Sequence, residues 1–156
     1  MEHDKVRSAH AGCRLGAHTL STPALTLVVD ASVALPACLS EAGFQLVPDT
    51  DLVAPELMWS ETRSTLHELV WRHEVSASDG EAALDALERC AVRRAGQRRL
   101  GAEAWRVADE LGWAKTYDAE YVALARLLGC RVVTLDSRLR RGAERLNLVV
   151  TLDELN

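Results

Sequence analysis

The chain has 156 residues, 48% hydrophobic and 26% charged, with a formal net charge of −5. That is one domain of ordinary globular composition with enough apolar material for a core, which excludes a disordered or low-complexity protein. No apolar run reaches the roughly 20 residues that cross a bilayer, and the N-terminus lacks the layout of a secretory signal, so the expectation is a cytoplasmic protein without a membrane partner.

Residues 1–24 carry Gly12, Gly16, Ser21, Thr22 and Pro23 with little periodicity. They read as a flexible leader, or as translation from an upstream start codon that adds nothing to the fold. His3, His10 and His18 fall here, and one weakly ordered stretch makes a poor ligand cage. Residues 25–156 read as a single domain. Leu27-Val28-Val29-Asp30 is an apolar run without polar alternation, the mark of a strand buried on both faces in a parallel sheet. A short apolar helix follows over 31 to about 40, which Gly43 helps to end. Leu52-Val53-Ala54 predicts a brief strand, and Pro55 suits the first turn of a helix over about 56–72.

Ser78 and Glu81 have the spacing of a capping box, opening a helix to about residue 90. The stretch 92–100 admits a short edge strand. A helix over 102–111 stops at Gly112, and Thr116 caps another over 117–128 that Gly129 ends. Arg131-Val132-Val133-Thr134-Leu135-Asp136 is a second buried strand closed by an acid. Ser137 then opens a helix to about 146, and 148–152 is a last strand. The order predicts an α/β fold: a parallel sheet flanked by helices, with a helical insertion between the first strands and a C-terminal β-α-β unit.

Asp30 and Asp136 therefore stand where their strands stop, and open α/β sheets place ligands in the crevice outside the strand carboxyl ends. Two further acids lie near inward helix faces. Glu61 borders the face marked by Leu57, Met58, Leu66, Leu69 and Val70. Asp118 flanks the stripe Tyr117, Tyr121, Leu124 and Leu128, in a first turn where the helix dipole favours an anion. Taken singly, each acid reads more simply as a cap, a dipole partner or, for Glu61, a surface partner of Arg63 or His67. Four such acids together point to one crevice, where like charges repel unless a cation or proton intervenes.

In this order and spacing the segments Val28-Val29-Asp30-Ala31-Ser32-Val33-Ala34-Leu35, Pro55-Glu56-Leu57-Met58-Trp59-Ser60-Glu61, Thr116-Tyr117-Asp118-Ala119-Glu120-Tyr121-Val122-Ala123-Leu124-Ala125 and Val133-Thr134-Leu135-Asp136-Ser137-Arg138-Leu139 resemble the PIN domain, in particular the VapC-like toxins of bacterial toxin–antitoxin pairs. The resemblance covers about residues 25–152. Leu139 stands where many relatives carry an aromatic, and the leader is longer than usual. The resemblance implies a PIN-like, Rossmann-type fold with Asp30, Glu61, Asp118 and Asp136 as the acidic quartet. It implies Mg²⁺- or Mn²⁺-dependent cleavage of single-stranded RNA, tRNA or mRNA being candidate substrates, together with an antitoxin partner and a homodimer.

Hard oxygen ligands suit those two metals better than zinc. Asp30 and Asp118 are the expected direct ligands; Asp136 shares the metal or holds its water, and Glu61 completes a second site. Lys115, Thr134 and Arg138 adjoin the motif acids and are the candidate substrate contacts, although local capping explains Ser137. Trp59 and Trp71 are the candidates for an antitoxin groove, core packing being the default for the chain's four tryptophans. Removing four metal-bound acids takes the net charge from −5 to −1, and all the basic residues except Lys5 and Lys115 are arginine, the better phosphate fork. The arginine groups 93, 94, 98, 99 and 138, 140, 141, 145 are either phosphate walls or solvated faces.

Cys13, Cys38, Cys90 and Cys130 form no close pair and read as reduced, mostly buried thiols. A haloacid-dehalogenase-like phosphatase would need an acid at Ser32, and a receiver domain would need regular β-α alternation. The remaining rival is a catalytically inactive PIN module acting as a protein- or RNA-binding partner.

Overall fold

The computed structural model describes residues 25–46 and 50–155. The leader, its histidines and Cys13 lie outside the described residues. Five strands form one wholly parallel sheet: β1 (Leu25–Val29), β2 (Thr50–Ala54), β3 (Arg93–Arg94), β4 (Arg131–Val133) and β5 (Val149–Val150), in spatial order β3-β2-β1-β4-β5. The two longest apolar runs sit at and beside the centre, where both faces must be covered. Leu27, Val28, Val29, Val53, Val132 and Val133 are accordingly buried. Val28 pairs with Val53 on one side and Val132 on the other, and Val29 with Val133. That register brings Asp30 level with Thr134 at the carboxyl edge, where the Asp30 N–H still reaches the Val133 carbonyl at 3.2 Å.

Among the described residues six α-helices flank the sheet: α1 (Ala31–Leu39), α2 (Leu57–Trp71), α3 (Ala77–Glu88), α4 (Leu100–Leu111), α5 (Tyr117–Leu128) and α6 (Ser137–Ala143). One core gathers the sheet with α1, α2, α3 and part of α5. A second lies between α4, α5 and α6, where Ala104, Val107 and Ala108 meet Ala119, Val122 and Ala123. Small side chains on both helices admit that close approach. Gly112 (φ 70°) and Gly129 (φ 67°) end α4 and α5 in the left-handed region that favours glycine.

The predicted elements are present, with local corrections: Thr116 stands at the start of α5, but its hydroxyl makes no capping hydrogen bond. α3 is capped by Ser76, whose hydroxyl accepts the Asp79 N–H at 3.1 Å; Ser78 is already inside the first turn, so the Ser78–Glu81 box does not form. A capping box does form at the C-terminal 3-10 turn, between Thr151 and Glu154. β4 ends at Val133 rather than at Asp136: the Thr134 N–H still bonds the Val150 carbonyl at 3.1 Å, but the next two N–H groups bond the Ser32 and Thr134 hydroxyls. Of the four tryptophans, only Trp59 is fully buried, whereas Trp71 is 73% and Trp105 66% exposed. Trp71 lies twelve residues beyond Trp59, about 120° further round α2, and so leaves the buried face.

Candidate active site

Because every strand runs the same way, all carboxyl ends open onto one edge, and the acids arrive there from four separate segments. Asp30 caps α1 and is only 7% exposed. Its Oδ2 receives the Ser32 hydroxyl at 2.5 Å, the Thr134 hydroxyl at 2.7 Å and the Ser32 N–H at 3.4 Å. Each hydroxyl has one proton, and both protons are committed to Asp30. The 3.1 Å between Ser32 Oγ and Thr134 Oγ1 is therefore a contact only. Each hydroxyl oxygen in turn accepts a backbone N–H from the turn before α6, Leu135 to Ser32 and Asp136 to Thr134, both at 2.9 Å. Asp30 is thus tied by two relays to the loop that carries Asp136, with Oδ2 saturated.

Glu61 is half-buried on α2, and Tyr121 Oη donates to its Oε2 at 2.5 Å. Tyr121 is fully buried, and its phenol is pushed far above the ordinary value by burial and by Glu61. Burial raises the Glu61 pKa; the Tyr121 bond opposes this, while the charges of Asp30, Asp118 and Glu120 add to it. Asp118 lies in the first turn of α5, beside the cleft. Its carboxyl is raised first by lost hydration, although the residue as a whole stays exposed, then by Asp30 and Asp136; Arg138 opposes the rise. Asp136 caps α6 by accepting the Arg138 N–H at 2.7 Å, and Arg138 Nε lies 3.8 Å from the same oxygen. The quartet forms one electrostatic unit: Asp30 acts on Glu61 and Asp118, Asp118 on Glu61, and Asp136 on Asp118.

All-oxygen donors and mutual repulsion fit a hard divalent cation. The side chains do not yet close on one: among the described residues no three His, Cys, Asp or Glu groups are placed to hold an ion. Asp30, Glu61 and Asp136 each turn one carboxylate oxygen onto a protein donor instead.

A cleft of about 560 Å³ opens beside Glu61 and Asp118, walled by Trp113, Lys115, Tyr117 and Arg138. Lys115 and Arg138 thus line it as expected. Thr134 does not; it is 1% exposed and lies behind Asp30, so it supports an acid rather than touching substrate. Trp59 is 2% exposed beneath the Arg94 guanidinium, 4.1 Å from the ring centre, which removes it from any partner groove. An apolar groove does run between α2 and α3, past Leu66, Val70, Ala77 and Leu84, but Trp71 is not among its walls. Arg93 pairs with Asp51 at 2.8 Å and Arg94 with Glu56, so two of that cluster's four arginines are engaged by the chain's own acids. Arg140 is likewise held by Glu154 at 2.7 Å. Burial pushes Cys38 up to about 12, leaving an inert thiol.

Sequence reasoning missed Ser32, Tyr121 and Glu120. Ser32 was legible as an Asx-type partner two residues after Asp30. Tyr121 was visible only as part of a buried stripe, and its hydroxyl finds Glu61 across 60 positions.

The PIN domain family model matches residues 27–145. The chain is 41% identical over 114 residues to VapC ribonuclease Mb0985 of Mycobacterium bovis, covering 72% of this chain and 87% of that protein. It matches Ribonuclease VapC9 of Mycobacterium tuberculosis to the same extent. Among solved structures, that of PAE2754 from Pyrobaculum aerophilum superposes with a TM-score of 0.65 over 84% of this chain and 93% of that one, at 24% identity, and shares the fold. The matched span holds every acid of the crevice, and the chain belongs to the PIN domain family, among its VapC-like members.

Proposed function

We propose that this chain is an endoribonuclease that cuts single-stranded RNA with the help of Mg²⁺ or Mn²⁺, and that it is the toxin of a toxin–antitoxin pair, working in the cytoplasm as a homodimer that an antitoxin restrains. Its family and its ribonuclease-named relatives make it a nuclease. The observation that carries the reading is the convergence of acids from four segments at one sheet edge: Asp30 is tied through Ser32 and Thr134 to the turn bearing Asp136, and Glu61 and Asp118 line one cleft.

Asp30, Asp118 and Asp136 would hold the cation, with Glu61 completing a second position when substrate phosphate arrives. When bound, a divalent cation supplies an activated water and neutralises the charge gathering on the phosphate. The chain's own residues do the rest. Ser32 and Thr134 fix Asp30, Tyr121 fixes Glu61, and Lys115 and Arg138 face the phosphate backbone. Among the described residues no histidine lines the cleft, and its carboxylates are Glu61 and Asp118.

Cleavage of labelled single-stranded RNA with and without Mg²⁺, by the wild type and by Asp30→Asn, tests this. The expected loss in the variant is at least about 100-fold, the scale on which charge stabilisation acts. Equal activity, or none from either protein, favours the inactive binding module. Growth arrest on expression, relieved by the product of the neighbouring gene, tests the toxin role.

A further inference from the structure

The cleft beside the acids holds more than charge. We propose that it is a nucleotide subsite, in which an unstacked base of the RNA lies against the Tyr117 ring while Lys115 and Arg138 hold the adjacent phosphates. The inference rests on the nuclease reading and specifies how that site takes its substrate.

Tyr117 is the first residue of α5 and precedes Asp118 directly. It is 54% exposed, whereas Tyr121 on the same helix is fully buried. A large ring left open to water beside an acidic centre offers a π-face within one residue of the chemistry, and such faces bind any base once it has left its stack.

The cations beside it are uncommitted. Among the described residues Lys115 has no ion-pair partner, and Arg138 has only the 3.8 Å approach to Asp136 with its side chain 87% exposed. Arg93, Arg94, Arg126 and Arg140 are by contrast all paired. The cleft is also anchored. Trp113 packs so closely on α6 that a Cβ at Gly142 would lie 2.9 Å from its Cζ2 and 3.1 Å from its Nε1. The Trp113 N–H is bonded to the Ala108 carbonyl at 2.8 Å. The short connection bearing Lys115 is therefore pinned to the helix bearing Arg138, which fixes the backbone positions from which the two cations reach the cleft. At about 560 Å³ the space falls in the ~300–1,000 Å³ range of small-molecule sites.

Fluorescence anisotropy in the Asp30→Asn background with Mg²⁺, using labelled oligouridine and a ribose-phosphate oligomer that lacks bases, tests the subsite. Tyr117→Ala should weaken oligouridine binding by roughly 5- to 100-fold, the range of one base–aromatic stack, and leave the base-free oligomer unaffected. Tyr117→Phe should restore binding, which a loss of folding or of the hydroxyl would not allow. Lys115→Ala and Arg138→Ala should each lower the salt slope by about 0.7 for both oligomers. Equal oligouridine binding by Tyr117→Ala and its Tyr117 parent overturns the subsite, as does a loss shared by the base-free oligomer. If the wild type cuts RNA in those cases, the nuclease reading survives alone; if it neither binds nor cuts RNA, both fall.

Discussion

Asp30 is the residue whose surroundings decide most. Its Oδ2 is held by two hydroxyls that arrive from opposite ends of the chain, and each hydroxyl is itself oriented by a backbone N–H. Thr134→Val keeps the shape, removes one donor from a buried carboxylate and strands the Asp136 N–H. The expected cost is about 1–3 kcal/mol in chemical denaturation, the penalty for unsatisfied buried polar groups. RNA cleavage should fall as well, since Asp30 is freed to rotate. Thr134→Ser restores the donor and should recover most of both; unchanged stability in Thr134→Val would show that the relay is not needed. Tyr121 does similar work for Glu61, spending its only proton on Oε2.

At the scale of elements, the site is set by how α5 and α6 meet. α5 lays small residues against α4, and Arg126 reaches across to Glu103 at 3.3 Å and Glu110 at 2.9 Å. Burial pushes the Glu103 pKa up, but Arg106 and Arg126 together hold it below the ordinary range. α6 contributes Gly142, where the absence of a side chain admits Trp113. Gly142→Leu should expel the indole and destabilise the fold by about 1–3 kcal/mol, as overpacking does. Because Lys115 lies two residues beyond Trp113, RNA affinity should fall along with tryptophan burial, read by quenching of the indole fluorescence. Tight RNA binding with an exposed indole would separate the loop from the subsite.

For the whole molecule the acids set a pH and metal dependence. Glu61 and Asp118 bind protons more tightly in the folded chain than in the unfolded one. Stability from these groups is therefore greatest below the ordinary carboxylate range and is lost as pH rises through their raised folded values. The metal-free protein should lose melting temperature as pH rises from the ordinary carboxylate range to neutrality, and Asp118→Asn should flatten that loss. The exposure of Asp118 keeps its share below about 1 kcal/mol. Mg²⁺ relieves the same repulsion, so it should raise the melting temperature at neutral pH and much less at about pH 4, within the ordinary carboxylate range, with EDTA reversing the gain. At a hundredfold excess over its dissociation constant the stabilisation is about 2.7 kcal/mol. A melt insensitive to both pH and Mg²⁺ would mean the carboxylates do not share a field.

The sequence by itself determined the two central strands and the acids that follow them, because a strand buried on both faces must be continuously apolar; the edge strand β3, Arg93–Arg94, carries no such run. It also determined the stops at Gly112 and Gly129, since few other residues accept a positive φ. Tertiary structure alone decided which groups share protons. The Thr134–Asp30 bond spans 104 positions and depends on the register of β1 against β4. It likewise decided which cations are spent, for Arg94 and Lys115 look alike in sequence until Glu56 and Trp59 are found against the first and, among the described residues, no ion-pair partner beside the second. Local patterning governs whether a side chain faces inward. What it meets there depends on strands and helices that sequence distance does not measure.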